Sequence, residues 1–158
     1  AWRNDPGCLF CHNSYPKAVN AFGRPARYEA QLPQGIGCER CHGDGAAHSI
    51  QPTKRNIVRS GGLDGCFQCH LETTSAKLPH ALRRAGREVT SFRPGQRLSD
   101  YLVQFDHPPG QGHDDKFEIN SAGYRMLQSA CFAKSGKLTC TTCHNPHQPA
   151  ASIDYTPA

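Results

Sequence analysis

Apolar residues along this chain are spaced for short elements. Residues 121 to 135 hold a helical repeat in which Tyr124, Leu127 and Cys131 fall on one face, with Asn120 or Ser121 placed to cap its start and Gly136 to end it. Met126 lies inside the same repeat and is read as a packing residue rather than a ligand. From Arg87 to Phe105, apolar positions alternate on either side of Arg93-Pro94-Gly95, which predicts a short β-hairpin or an irregular excursion. No run of about 18 apolar residues occurs, so no transmembrane segment is expected.

Composition sharpens this picture. The 158 residues suit a single domain, 1–158, yet only 37% are apolar and there is one Trp. Fifteen Gly and twelve Pro predict many turns between few long elements. The expected fold class is therefore mostly α, with extensive irregular loops and little β. Such a chain buries too little apolar surface of its own to offset chain entropy, so something else must fill its middle. The sequence opens AWRNDPG without an initiating Met, which points to a processed or trimmed start.

Charge excludes more than it assigns. The formal net charge is +5, with Lys and Arg scattered and Arg83, Arg84 and Arg87 the densest group. That distribution argues for a solvated surface and against nucleic acid as a partner. Asp114-Asp115 is a lone acidic pair in a loop, read as a solvated cap rather than an acid/base device.

The chemistry lies in a repeat. Cys8-Leu-Phe-Cys11-His12, Cys38-Glu-Arg-Cys41-His42, Cys66-Phe-Gln-Cys69-His70 and Cys140-Thr-Thr-Cys143-His144 share one pattern, the first three preceded by Gly7, Gly37 and Gly65 and the fourth by Thr139. Zinc sites and disulfide frameworks use paired cysteines but do not demand His after each second one. With nine His in the chain, four such coincidences have roughly a 10⁻⁵ chance. A thioredoxin-like motif is expected once, not four times. The C-x-x-C-H unit is the attachment sequence of c-type haem: two thiols add across the vinyl groups and the adjacent His becomes the proximal iron ligand. Four haem c groups are expected, held by Cys8, Cys11, Cys38, Cys41, Cys66, Cys69, Cys140 and Cys143, with His12, His42, His70 and His144 proximal. Their macrocycles supply the apolar interior that the composition lacks, and some Lys and Arg serve as propionate partners.

Five histidines remain for the four opposite faces: His48, His80, His107, His113 and His147. Gly43 and Gly45 let the backbone turn after His42 and bring His48 round. His147 follows Asn145-Pro146, and two residues cannot carry it around the haem of Cys140 and Cys143, so a neighbouring haem is its expected partner. His80 follows Pro79, while His107 and His113 flank Pro108-Pro109-Gly110; one candidate is in excess, and the choice between those last two stays open. Cys131, the ninth cysteine, is expected as a small buried residue on its helix face.

The stretches GIGCERCHGDGAAH and KFEINSAGYRMLQSACFAKSGKLTCTTCHNPH, with the four attachment motifs, resemble the tetrahaem cytochrome family typified by the electron acceptor of hydroxylamine oxidoreductase. They are also similar to multihaem domains of larger repeat-containing proteins. The resemblance implies a small, mostly helical tetrahaem fold wrapped around stacked haems, with His48 and His147 as distal ligands to haems other than their own. Some members of the family leave one haem without a distal ligand.

Three functions follow as expectations. The first is electron transfer through four haems, mostly or all bis-His ligated, with redox proteins as partners and no enzymatic activity. The second is a subunit of an extracellular polymeric filament, with homo-oligomeric contacts. The third is a redox enzyme acting on a small nitrogen or sulfur compound at one open haem. Because haem c is attached outside the cytoplasmic membrane, a periplasmic or extracellular location is expected.

Overall fold

The computed structural model describes residues 6–17, 19, 27–28, 31–33, 35–58, 62–71, 81–88, 90–105, 110 and 122–148. Its helices are short: α1 (Pro6–His12), α2 (Glu39–His42), α3 (Ala46–Ile50), α4 (Gly62–His70), α5 (Ala122–Gln128) and α6 (Ala130–Ser135). Single 3-10 turns occupy Leu98–Asp100 and Cys140–Thr142. Two three-residue strands, β1 (Ala81–Arg83) and β2 (Leu102–Gln104), pair antiparallel with Leu82 opposite Val103. The fold is thus predominantly helical, with little β. Among the described residues no helix is long and apolar enough to cross a membrane.

Helix length here is set by capping and turn chemistry. Gly43 ends α2 at φ 72°, a conformation that Gly adopts without steric cost. The repeat over 121–135 forms two helices instead of one. Ser129 takes an extended conformation (ψ 144°), its hydroxyl accepting from Phe132 N–H at 3.1 Å and donating to the Met126 carbonyl at 2.7 Å. It therefore closes α5 and caps α6 in one residue. This break ends the face shared by Tyr124 and Leu127, and Cys131 is exposed, contrary to its expected burial. Gly136 terminates α6 in the left-handed region, φ 59°, where the periodicity places the stop. The candidate caps Asn120 and Ser121 lie outside the described residues.

The segment from 84 to 101 is an excursion between the paired strands. Its second strand is the one that alternation predicts, but the partner is Ala81–Arg83, upstream of the predicted hairpin. Arg84 and Arg87 from the basic stretch tie the excursion down: their side chains donate to the carbonyls of Ser99 (2.5 Å) and Asp100 (3.2 Å). Arg87 also lies 4.3 Å over the Tyr101 ring.

The protein core is small. Phe67, Phe92, Leu98 and Tyr101 form its buried cluster, with Leu63, Leu71, Met126 and Leu127 packed against them. Met126 thus packs, as its helical position predicts. Gly123 brings α5 onto α4, since a Cβ there would stand 2.6 Å from the His70 carbonyl oxygen and 2.7 Å from Phe67.

Candidate haem-binding site

Each C-x-x-C-H motif occupies a helical turn. α1 ends on His12, α2 on His42 and α4 on His70, while the fourth motif closes a 3-10 turn at Cys140–Thr142. The His42 N–H donates to the Cys38 carbonyl at 2.9 Å, and the His144 N–H to the Cys140 carbonyl at 3.0 Å. Residues i, i+3 and i+4 of such a turn share one face, which sets two thiols and an imidazole side by side. That donor set is what covalent haem attachment requires.

The residues between the cysteines point the other way. Leu9 and Phe10 of the first motif, Arg40 of the second, and Phe67 and Gln68 of the third are all buried. Gln68 donates to the Arg40 carbonyl at 2.9 Å and Arg40 donates to the Phe10 carbonyl at 2.6 Å, so these spacers pin three attachment turns together. In the fourth motif Thr141 and Thr142 are exposed and serve locally, Thr142 closing a capping box with Thr139.

A cavity of about 580 Å³ opens between the second, third and fourth motifs. Cys38, Cys41 and His42 line it together with Cys66, Cys140 and His147. Its size lies within the about 300–1,000 Å³ typical of cofactor sites. Burial, and then the neighbouring Cys140, push the Cys66 thiol up to about 12. Cys41 is raised by burial and by Cys69, against a lowering influence from Arg40. Both thiols are thereby held neutral, and thioether formation removes their titration altogether.

Two histidines are oriented by partners that the motif does not show. Val58 bonds His42 twice: its N–H donates to the His42 carbonyl (3.3 Å), and its carbonyl accepts from His42 Nδ1 (2.9 Å). A carbonyl can only accept, so the proton sits on Nδ1 and the Nε2 lone pair is free for a metal. His48 is held the same way, Nδ1 lying 3.1 Å from both the Thr53 carbonyl and Asn56 Oδ1. The Asn56 amide nitrogen donates to the carbonyls of Ala47 (3.2 Å) and Gln51 (2.7 Å), which turns Oδ1 toward His48. Val58, Thr53 and Asn56 carried no sequence signal, because a carbonyl acceptor comes with any residue and Asn56 sits in an unpatterned loop.

His147 reaches the second motif. Asn145 Oδ1 accepts from the His147 N–H at 3.1 Å, folding Asn145-Pro146-His147 into a tight turn. The His147 ring stands parallel to that of His42, with centroids 5.9 Å apart and planes 6° from coincidence. His12, His70 and His144 are exposed at the ends of their turns. His80, His107 and His113 lie outside the described residues.

Four attachment turns presenting paired thiols and a following His are the mark of a multihaem c-type cytochrome with four covalently bound haem c groups. Comparison with known proteins agrees. The family profile of cytochrome c554 and c-prime matches residues 1–43. The chain is 32% identical over 157 residues to the C-type polyheme cytochrome OmcB of Geobacter sulfurreducens, covering 89% of this chain and 20% of that protein. It is 22% identical over 165 residues to cytochrome c-552 of Desulfotalea psychrophila, covering 85% of this chain and 31% of that one. The chain therefore spans less than a third of the length of these relatives. No solved structure matches it significantly.

Proposed function

We propose that residues 1–158 form one tetrahaem unit that passes single electrons between redox partner proteins outside the cytoplasmic membrane, with its irons bis-His ligated. The match at residues 1–43 supports the tetrahaem family reading, and the alignment within OmcB supports a second one, a module of a longer polyhaem chain. The filament reading has haem density alone behind it. When bound, the haem supplies one-electron chemistry; the chain's part is to hold each group, saturate its axial positions and keep neighbouring groups close.

One observation carries the axial assignment. Two imidazoles bound head-on to a single metal, each nitrogen about 2 Å from it, have ring centroids about 6 Å apart. The 5.9 Å separation and near-parallel planes of His42 and His147 match that spacing, and both residues line a common cavity. Direct ring stacking is the other source of parallel imidazoles, but it leaves the free Nε2 of His42 without a use. In this reading His147 serves the haem of Cys38 and Cys41, not that of Cys140 and Cys143. His12, His42, His70 and His144 are the proximal ligands, and His48, with its Nδ1 occupied, is a distal ligand to a different haem.

The test is His147→Ala in the haem-loaded protein. Electron paramagnetic resonance should show one low-spin ferric centre converted to high spin, with the other three unchanged. Four low-spin centres in the variant would remove His147 from the ligand set. A high-spin signal in the unsubstituted protein, perturbed by cyanide, would instead favour a redox enzyme with one open haem.

A further inference from the structure

Arg40, the second spacer residue of the second motif, is 1% exposed, and its guanidinium is not one of the thiol and imidazole donors of the C-x-x-C-H unit. Nη2 donates to the Phe10 carbonyl at 2.6 Å and lies 4.0 Å from Cys69 Sγ, whereas Nε and Nη1 are buried with no acceptor. The charge is met by π-faces: the guanidinium carbon sits 4.7 Å from the Phe10 ring centre and 4.8 Å from that of Tyr15. Arg93 lies 4.0 Å from the Tyr15 ring as well, so this ring faces two cations. Among the described residues no carboxylate bonds to Arg40.

A guanidinium keeps its proton in any protein environment, so this site holds a permanent positive charge that neither solvent nor an ion pair neutralises. Burying such a charge is costly, and an apolar residue of similar volume often does as well for stability. Packing alone therefore does not account for Arg at this position. Its surroundings suggest another use. Arg40 precedes Cys41 directly, and its Nη2 approaches Cys69 Sγ, an atom that becomes part of the third haem's attachment.

We propose that Arg40 is a potential-setting residue: its buried charge raises the reduction potentials of the haems whose attachment turns it touches, those of Cys8/Cys11, Cys38/Cys41 and Cys66/Cys69, relative to a neutral residue at that position. Reduction lowers the charge of a haem by one, so a fixed cation nearby favours the reduced form. Salt screens a buried charge weakly. At an effective dielectric near 20, a unit charge about 10 Å from a redox group changes its reduction equilibrium about tenfold. The proposal rests on the attachment cysteines and not on which histidine binds which iron, so it stands or falls separately from the His147 assignment.

The experiment is a spectroelectrochemical titration of haem-loaded Arg40→Met, Arg40→Gln and Arg40→Lys, each first checked for four haems per chain. In the two neutral variants, three of the four reduction steps should move to lower potential by about 59 mV or more, a tenfold change for one electron. Arg40→Lys keeps the charge and should leave those steps near their original positions. Two neutral side chains of different shape keep the measurement possible if one fails to assemble. Unchanged potentials in a fully loaded neutral variant overturn the proposal, as does a shift in Arg40→Lys equal to that in Arg40→Met. Loss of haem from both neutral variants but not from Arg40→Lys would assign Arg40 to assembly and likewise overturn the tuning role.

Discussion

His48 and His147 show how little a histidine's own position says about its use. His48 lies in α3, the helix after His42, and what orients its imidazole is Asn56, held by the carbonyls of Ala47 and Gln51 so that its own oxygen fixes the imidazole proton on Nδ1. Removing such an outer partner typically weakens a metal–His bond 10- to 100-fold. Asn56→Ala should therefore let cyanide displace the distal ligand of one haem about tenfold or more readily, read from the cyanide concentration dependence of the Soret band. His48→Ala should go further and leave that haem open. If Asn56→Ala binds cyanide like the unsubstituted protein, His48 is not held for coordination. The attachment cysteines and their adjacent histidines were legible from sequence because five consecutive residues hold the whole chemical instruction. Asn56 was not, because its role exists only once the loop around it has closed.

At the scale of elements, the short helices carry the attachment turns and the contacts between helices set how close those turns come. Gly123 makes one of these contacts close: α5 meets α4 through the backbone of His70 and the ring of Phe67, and neither is the free end of a flexible side chain. Gly123→Ala would place a methyl group 2.6 Å from the His70 carbonyl oxygen, so the helices must move apart. Overpacking of this kind costs about 1–3 kcal/mol. Thermal denaturation of the holoprotein should show a lower midpoint, accompanied by a changed optical signature of the haem at His70. An unaltered midpoint would mean that the α4–α5 contact is not tight in solution. Helical periodicity over 121–135 found the right residues and the right end, Gly136. It missed the break at Ser129, since a serine in a helical pattern gives no sign of which hydroxyl contact it will choose. That contact also decided the fate of Cys131, which sits one residue into the second helix and is exposed.

For the whole molecule the controlling fact is the small core. Phe67, Phe92, Leu98 and Tyr101 anchor one buried cluster, and the spacers Leu9, Phe10, Arg40 and Gln68 add a second layer that joins three attachment turns. With only 37% of its 158 residues apolar, the chain has too little apolar surface of its own to offset chain entropy, so the covalently held porphyrins belong to the interior. The chain expressed without haem attachment should be largely unfolded, with far-UV circular dichroism near that of a coil and no cooperative thermal transition, while the holoprotein melts cooperatively. A folded, cooperative apoprotein would show that the protein core suffices. In the proposed bis-His state, four ferric haems with ionised propionates, each near −1, would bring the chain from +5 to about +1, so the polypeptide charge alone does not describe its encounter with partners.

By itself the sequence determined the number of haems, the cysteines that hold them and the proximal histidines expected beneath them, because a single helical turn places residues i, i+3 and i+4 on one face whatever surrounds it. It also limited the protein core, since the apolar residues are too few to form a large one. Only the tertiary structure decided that His147 stands opposite His42, that the spacer residues face inward, and that Arg40 is sealed among Phe10, Tyr15 and Cys69. Each of those depends on segments 25 to 105 residues apart meeting in space. No local periodicity encodes such meetings; packing and the closure of loops bring them about.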